Sequence, residues 1–136
     1  MREVVLDASV LVKWIKETGE ADVAPARALR AQYRRGELRV IVPYLAYLEL
    51  INAAARRWAW SPDQLSQLVR ILFEARFAIG EPPLERVAYW TGQGLTAYDA
   101  CYVALAEERR TVVITADERI LAVASQFSEA LAEAPI

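Results

Sequence analysis

Short apolar runs alternate along this chain with longer segments in which apolar residues recur every three or four positions. The apolar runs, most of them rich in Val and Ile, predict β-strands over residues 4–6, 39–42, 77–80 and 111–115. The longer segments predict helices that begin near residue 10 and then span residues 20–35, 43–57, 62–76, 82–92, 97–110 and 117–126. Strands that alternate with helices indicate an α/β fold, with a mostly parallel central sheet covered on both faces.

Capping residues mark several of these boundaries. Ser61 followed by Pro62 predicts an N-cap with proline in the first helical turn. Thr96 is predicted to cap the helix after it, and Gly36 to end the helix before it. No repeat, linker or low-complexity tract interrupts the sequence, so we expect residues 1–136 to form a single domain.

The composition limits the class of protein. The chain has 136 residues, of which 55% are hydrophobic and 25% charged, a balance typical of a folded globular domain. Its longest charge-poor stretch, residues 40–55, is interrupted by Pro43 and Glu49, which excludes a membrane span of about 20 apolar residues. The first residues lack the apolar core and cleavage site of a signal peptide, and there is one Cys, so we expect a cytoplasmic protein.

The absence of His restricts the possible chemistry. It removes Ser-His and Cys-His nucleophile systems, zinc sites that need imidazole, and any imidazole general base. Catalysis would have to use carboxylates, hydroxyls, one thiol, cations or a bound metal. The formal net charge of −2 does not by itself indicate a nucleic-acid partner.

Four carboxylates stand within or directly after apolar runs, where an ionised side chain is costly unless it is paired or bound to metal. They are Asp7, Glu49, Asp99 and Asp117. Each has an ordinary structural interpretation. Asp7 could accept hydrogen bonds from loop amides, Asp99 could complete a capping box with Thr96, and Asp117 could be an N-cap. Glu49 has no cation three or four residues away on its helix, which leaves a tertiary salt bridge to an Arg.

The positions of these acids in the predicted fold favour a common site. Asp7 and Asp117 follow two strands, while Glu49 and Asp99 lie in early helical turns, so all four can face one edge of a parallel sheet. Converging carboxylates without Lys or His are neutralised by a divalent cation such as Mg²⁺ or Mn²⁺. Ser9 and Thr115 could add hydroxyl ligands or hydrogen bonds. The residues alone therefore predict metal-dependent hydrolysis of a phosphodiester or phosphomonoester.

Four segments resemble, in order and spacing, the acidic motifs of PIN-domain nucleases. They are residues 6–11, 48–52, 95–106 and 113–117, and the resemblance covers essentially the whole chain. In its length and in the residues of these motifs, the chain most resembles the VapC-type toxins of toxin-antitoxin pairs, which are small Mg²⁺-dependent endoribonucleases.

The resemblance implies an α/β/α sandwich, RNA cleavage at the acidic pocket, homodimerisation and inhibition by a cognate antitoxin protein. Carried over residue by residue, it makes Asp7 and Asp99 the principal metal ligands, with Glu49 and Asp117 completing the site. Asn52, one turn after Glu49, also fits the family pattern.

The basic and aromatic residues are less specific signals. One Arg-rich segment covers residues 27–39, and two Arg pairs stand at 56–57 and 109–110, where a solvated face and helix C-terminal charges are alternatives to phosphate contact. The four Trp and six Tyr are many for so small a core, so we expect a homodimer interface to use some of them. We expect most of the Trp side chains, and Cys101, to pack against the rest of the protein.

Two other classes of function compete with a ribonuclease. A phosphatase or phosphoacceptor domain of another α/β class also carries acids at strand ends, but here no second Asp stands two residues after Asp7, and the last predicted strand region has no Lys. The other alternative is a metal-binding protein-interaction module without nuclease activity.

Overall fold

The central element of the fold is a five-stranded sheet in which every strand pair is parallel. The computed structural model describes residues 1–133. The strands follow the spatial order β3-β2-β1-β4-β5, so the first strand lies in the middle of the sheet. They are β1 (Arg2–Leu6), β2 (Leu38–Val42), β3 (Ala78–Ile79), β4 (Val113–Thr115) and β5 (Ser128–Ala130).

Helices connect the strands and cover the sheet, which gives the predicted three-layer α/β/α sandwich. Helix α1 packs against α2 and α3, whereas α5 packs against α6, and both α1 and α6 contact the central strands. The helices are α1 (Ala8–Ile15), α2 (Val23–Arg34), α3 (Leu45–Arg56), α4 (Pro62–Ala75), α5 (Leu84–Gly92), α6 (Ala97–Glu108) and α7 (Glu118–Val123). Within the described residues, no helix is long and apolar enough to cross a membrane.

The core lies on both sides of β1. Val4, Val5 and Leu6 are completely buried, which explains why the first strand is a continuous apolar run rather than an alternating one. Helix α6 is buried along most of its length, because it lies across the sheet and is covered in turn by α5. At the start of α4, Ser61 and Gln64 form a reciprocal capping box with Pro62 in the first turn, which confirms the predicted boundary.

The structure differs from the sequence prediction mainly at element ends and near the C-terminus. Helix α1 begins at Ala8, two residues earlier than predicted, and α2 begins at Val23. The last predicted helix ends at Val123 instead of residue 126, and a 3-10 turn (Ser125–Phe127) leads into β5, which was not predicted. The sequence Ser-Glu-Ala has no apolar run, and its strand conformation comes from pairing with β4.

Parallel strands bring several connections to one edge of the sheet. Strand β1 ends at Leu6 and passes through Asp7 directly into α1, and β4 ends at Thr115 and passes through Asp117 into α7. Because β1 and β4 are neighbours in the sheet, these two connections lie side by side. The carboxyl edge of the sheet is therefore where side chains from distant parts of the sequence meet.

Candidate active site

Asp7 is a buried carboxylate at the end of the central strand. Only 4% of the surface of Asp7 is exposed to solvent. The Ser9 hydroxyl donates to Asp7 Oδ1 at 2.6 Å, and the Thr115 hydroxyl donates to Oδ2. Burial raises the pKa of Asp7 to about 6, with a smaller upward contribution from the Asp117 charge, although the bonds from Ser9 and Thr115 lower it. Asp7 is therefore held in one orientation by two hydroxyls, and no cationic side chain of residues 1–133 pairs with it.

Ser9 and Thr115 also connect the two neighbouring strand ends. Thr115 Oγ1 accepts the backbone N–H of Asp117 at 2.9 Å, and Ser9 Oγ accepts the N–H of Ala116 at 2.9 Å. Thr115 is completely buried and does not line the cleft, whereas Ser9 does. The structure thus places these two predicted supporting residues as hydrogen-bond partners of Asp7.

Glu49 lies in the second turn of α3 and is half-buried. Its Oε1 accepts a hydrogen bond from the hydroxyl of Tyr102 on α6, and among residues 1–133 it forms no ion pair with an Arg. The alternative interpretation of Glu49, a tertiary salt bridge to an Arg, is therefore not borne out within these residues. Burial raises the pKa of Glu49, the Tyr102 bond lowers it, and the charge of Asp99 raises it.

Tyr102 is a site residue that the sequence analysis did not select. Its side chain is 1% exposed yet lines the cleft with its hydroxyl end. Burial raises the pKa of Tyr102 strongly, and Glu49 and Asp7 add to that shift, so the hydroxyl stays protonated and acts as a donor. The signal was its position three residues after Asp99, which puts both side chains on one face of α6.

Asp99 occupies the third position of α6. Thr96 Oγ1 accepts the backbone N–H of Asp99 at 3.0 Å, so Thr96 is the predicted N-cap. The reciprocal bond from the Thr96 amide to the Asp99 carboxylate is absent from the described residues, which means that only half of the capping box forms. The pKa of Asp99 is raised by burial first and by the charge of Asp117 second, while Thr96 and Arg119 lower it.

Asp117 has two roles in this geometry. It is the N-cap of α7, because its Oδ1 accepts the backbone N–H groups of Arg119 at 2.8 Å and Ile120 at 3.1 Å. The N-cap interpretation is thus confirmed. Asp117 also lines the cleft, and its charge raises the pKa of Asp7 and Asp99.

One cleft at the carboxyl edge of the sheet brings the four predicted carboxylates together. It has a volume of about 410 Å³. Besides the acids it is lined by Ser9, Asn52, Arg56, Arg57 and Tyr102. A larger hollow of about 880 Å³ is lined by apolar side chains such as Trp14, Tyr33 and Phe77 and by four Arg. Within the described residues Glu74 is its one carboxylate, so it lacks the cluster of acids that a cation site needs.

The cleft has the donor chemistry that a hard divalent cation requires. Four carboxylates and the amide of Asn52 are oxygen donors, and the buried Asp7 lacks a cationic partner among residues 1–133. Within the same residues, no three acidic or Cys side chains already meet at one point as ligands of a metal. The residues therefore fit such a cation by their chemistry, and binding would require the acids to close around it.

A family model for the PIN domain matches residues 4–126 of the chain. The chain belongs to the PIN domain family. PIN domains are generally metal-dependent nucleases. The PIN fold of this chain is similar to the crystal structure of PAE2754 from Pyrobaculum aerophilum, with 24% identity, a TM-score of 0.65, and coverage of 96% of this chain and 92% of that one. A search of curated proteins finds no match.

The remaining sequence signals separate into packing, ion pairs and cleft residues. Trp14 and Trp90 are buried, and Trp58 and Trp60 are half-buried with ring centroids 5.0 Å apart, so packing is confirmed as their main use in this PIN domain. Cys101 is half-buried on α6 and packs against the core. Four arginines that were considered for phosphate contact form ion pairs with Glu3, Glu17 or Glu37 instead. They are Arg27, Arg35, Arg39 and Arg109.

Proposed function

We propose that this protein is a Mg²⁺-dependent endoribonuclease and the toxin of a VapC-type toxin-antitoxin pair, with Mn²⁺ as a substitute cation. The observation that carries the proposal is the convergence of Asp7, Glu49, Asp99 and Asp117 on one cleft in a PIN domain without His. The VapC assignment rests on the length of the chain and on the residues of its four acidic motifs. The proposal places the enzyme in the cytoplasm.

Asp7 and Asp99 would hold the cation, with Glu49 and Asp117 completing its surroundings. When bound, such a cation lowers the pKa of a water molecule and neutralises charge on the scissile phosphate. Ser9 and Thr115 fix both oxygens of Asp7, so this carboxylate keeps its orientation without a cation. Tyr102 engages Oε1 of Glu49, so Oε2 would be the oxygen that accepts a proton from the attacking water.

Alternative functions receive less support from the cleft. A phosphatase that forms an aspartyl-phosphate needs an exposed carboxylate nucleophile, whereas both oxygens of Asp7 accept hydroxyl hydrogen bonds in a buried position. A metal-binding interaction module without nuclease activity would leave RNA intact in Mg²⁺, so the cleavage test below distinguishes it from the nuclease.

We also propose that the protein is a homodimer and that an antitoxin protein inhibits it. An exposed apolar patch near the start of α3 supports the dimer. Tyr44 is 57% exposed and Leu48, one turn later, 49% exposed. The Tyr44 amide donates to Glu81, and Ile79 and Leu84, which lie two and three residues from Glu81 in the sequence, are also exposed. Light scattering of Leu48→Asp should show a smaller species than the wild type, whereas Phe73→Ser, which removes a more exposed apolar side chain on α4, should not.

The reaction is tested with a labelled single-stranded RNA and a DNA of the same sequence. Internal cleavage of the RNA in Mg²⁺ and none in excess chelator are expected. Removal of single terminal nucleotides, or equal cleavage of the DNA, would contradict the endoribonuclease. The toxin role is tested by induced expression in a bacterium, where the wild type should arrest growth and Asp99→Asn should not.

A further inference from the structure

Two arginines extend the acidic cleft along α3. Glu49, Asn52, Ala53 and Arg56 follow the i, i+3, i+4, i+7 spacing of a single helix face, and all four line the cleft. Arg57, the C-cap residue of α3, lines it as well. Seven residues along a helix correspond to roughly 10 Å, so Arg56 is attached to the helix about two turns beyond Glu49.

These two guanidinium groups have no carboxylate partner within the described chain. Arg56 and Arg57 are both exposed, and neither takes part in an ion pair among residues 1–133. Arg27, Arg35 and Arg109, by contrast, form paired hydrogen bonds with a Glu. Arg56 and Arg57 therefore stand beside the acids without neutralising them by direct contact.

An RNA strand needs positive charge at this cleft. Its phosphates would approach four carboxylates on a protein whose formal net charge is −2, and that approach is repulsive. A cation held by the acids can offset the charge of the scissile phosphate only. The phosphate next to it requires another partner, and guanidinium is well suited because it can donate two parallel hydrogen bonds to phosphate oxygens.

We propose that Arg56 and Arg57 bind the phosphate adjacent to the scissile one and thereby make the enzyme select oligonucleotides over esters with a single phosphate. This inference rests on the proposed ribonuclease function and defines its substrate class. A structural role is the alternative, because cations near the C-terminal end of a helix interact favourably with its dipole. The two roles predict different substrate dependence.

The decisive variant is Arg56→Gln/Arg57→Gln, with Arg70→Gln as the matched control. Arg70 is also an exposed helical Arg, on α4, and it does not line the cleft. Rates are measured in Mg²⁺ on a single-stranded oligoribonucleotide and on bis(p-nitrophenyl) phosphate, which has no neighbouring phosphate. The ratio of the first rate to the second should fall at least tenfold in the double variant and stay at the wild-type value in Arg70→Gln. Equal losses on the two substrates, or no loss on either, would overturn the inference.

Binding gives an arm that does not depend on catalysis. Anisotropy of a labelled oligoribonucleotide, in Ca²⁺ instead of Mg²⁺, should show the double variant binding roughly tenfold to a hundredfold more weakly. The slope of log affinity against log salt should become shallower by about 0.7, since the two arginines neutralise one phosphate and each single-strand phosphate contact contributes about 0.7. Arg56→Lys/Arg57→Lys keeps both charges and should keep most of the salt slope, while it loses the paired hydrogen bonds of guanidinium. This variant replaces the double Gln variant in the binding measurement if the latter fails to fold. If the wild type cleaves neither substrate, the proposed function fails, and equal affinities of wild type and variant would then overturn this inference separately.

Discussion

The hydroxyl of Tyr102 on α6 donates a hydrogen bond to Glu49 Oε1 on α3. The two residues are 53 positions apart in the sequence, and the bond joins the helix that carries Asp99 to the helix that carries Arg56. It also lowers the pKa of Glu49 against the upward effects of burial and of Asp99. Tyr102 therefore both orients one acid of the cleft and favours its ionised form.

Replacing Tyr102 by Phe should raise the pKa of Glu49, because the hydrogen bond that favours the carboxylate is lost. The acid limb of the pH–rate profile for RNA cleavage should then move to higher pH. Stability should fall by about 1 kcal/mol, since water can reach the half-buried Glu49 and replace part of the bond. Tyr33→Phe is the control, because its hydroxyl donates to the Ala75 carbonyl away from the cleft. An unchanged pH profile in Tyr102→Phe would contradict this role.

Asp7 should make the metal-free protein less stable as the pH rises. Its pKa of about 6 in the folded state exceeds the ordinary value of 3.8, so the unfolded chain releases this proton first. Below 3.8 both states are protonated, and between 3.8 and 6 the contribution of Asp7 to stability falls by about 3 kcal/mol. Asp7→Asn lacks this titration. The variant should nevertheless lose about 1 kcal/mol of folding stability, because an Asn amide cannot accept hydrogen bonds from both hydroxyls.

Unfolding in chelator at pH 4 and pH 7.5 measures this difference. Asp7→Asn should be as stable as the wild type, or more so, at pH 7.5 and less stable at pH 4. Mg²⁺ at a hundredfold excess over its Kd should add about 2.7 kcal/mol to the wild type and less to the variant. A variant that is much less stable than the wild type at both pH values, with and without Mg²⁺, would mean that Asp7 is a structural carboxylate.

Thr115→Val removes a buried hydroxyl without a large change in shape. The hydroxyl donates to Asp7 Oδ2 and accepts the Asp117 amide, so its loss deprives a buried carboxylate oxygen and a half-buried amide of this partner. We expect a loss of about 1–3 kcal/mol and a further rise in the pKa of Asp7. Thr91→Val is the control, because Thr91 bonds only its own helix, at the Val87 carbonyl. Chemical denaturation of both variants should show a clearly smaller loss for Thr91→Val, and equal losses would argue against the Thr115 bridge.

Two substitutions at Asp117 separate capping from catalysis. Asn retains the side-chain oxygen that accepts the amides of Arg119 and Ile120, whereas Ala removes it. Asp117→Ala should lose about 0.5–2 kcal/mol of stability, and Asp117→Asn little. Both should lose RNA cleavage, because neither supplies a carboxylate. Full activity of Asp117→Asn would leave Asp117 with its capping role alone.

The sequence was sufficient for the parts of the fold that depend on local pattern. Val4, Val5 and Leu6 form an uninterrupted apolar run, and Ser61-Pro62 is a strong helix start, so both elements were predictable. Strand β5 was not, because Ser128–Ala130 is short and polar and depends on its partner β4. The early start of α1 was missed for a related reason. Ser9, in its first turn, is held by tertiary hydrogen bonds with Asp7 and Ala116, which a local sequence pattern does not show.

The same distinction applies to the cleft. The four acids could be placed at one edge because strand ends align in any parallel sheet, whatever their separation in sequence. Tyr102 was overlooked because an aromatic residue within an apolar helix predicts packing. Its place three residues after Asp99 marks the shared helix face, and the tertiary contact with Glu49 shows what its hydroxyl does. Arg56 and Arg57 stood out in the sequence as a possible phosphate contact, but their place beside the acids was missed, because only positions three and four residues from Glu49 were considered and two full turns separate Glu49 from Arg56.

The central claim is that the carboxylates of the cleft cleave RNA with a divalent cation, and a comparison of Asp99→Asn with Asp63→Asn tests it most directly. Both residues are Asp in the first turn of a helix, but only Asp99 lines the cleft, and Asp63 is exposed on α4. Single-turnover cleavage of single-stranded RNA in Mg²⁺ should fall about a hundredfold or more in Asp99→Asn, stay at the wild-type rate in Asp63→Asn, and stop for all three proteins in excess chelator. Wild-type rates in Asp99→Asn, or undiminished cleavage in chelator, would contradict the claim.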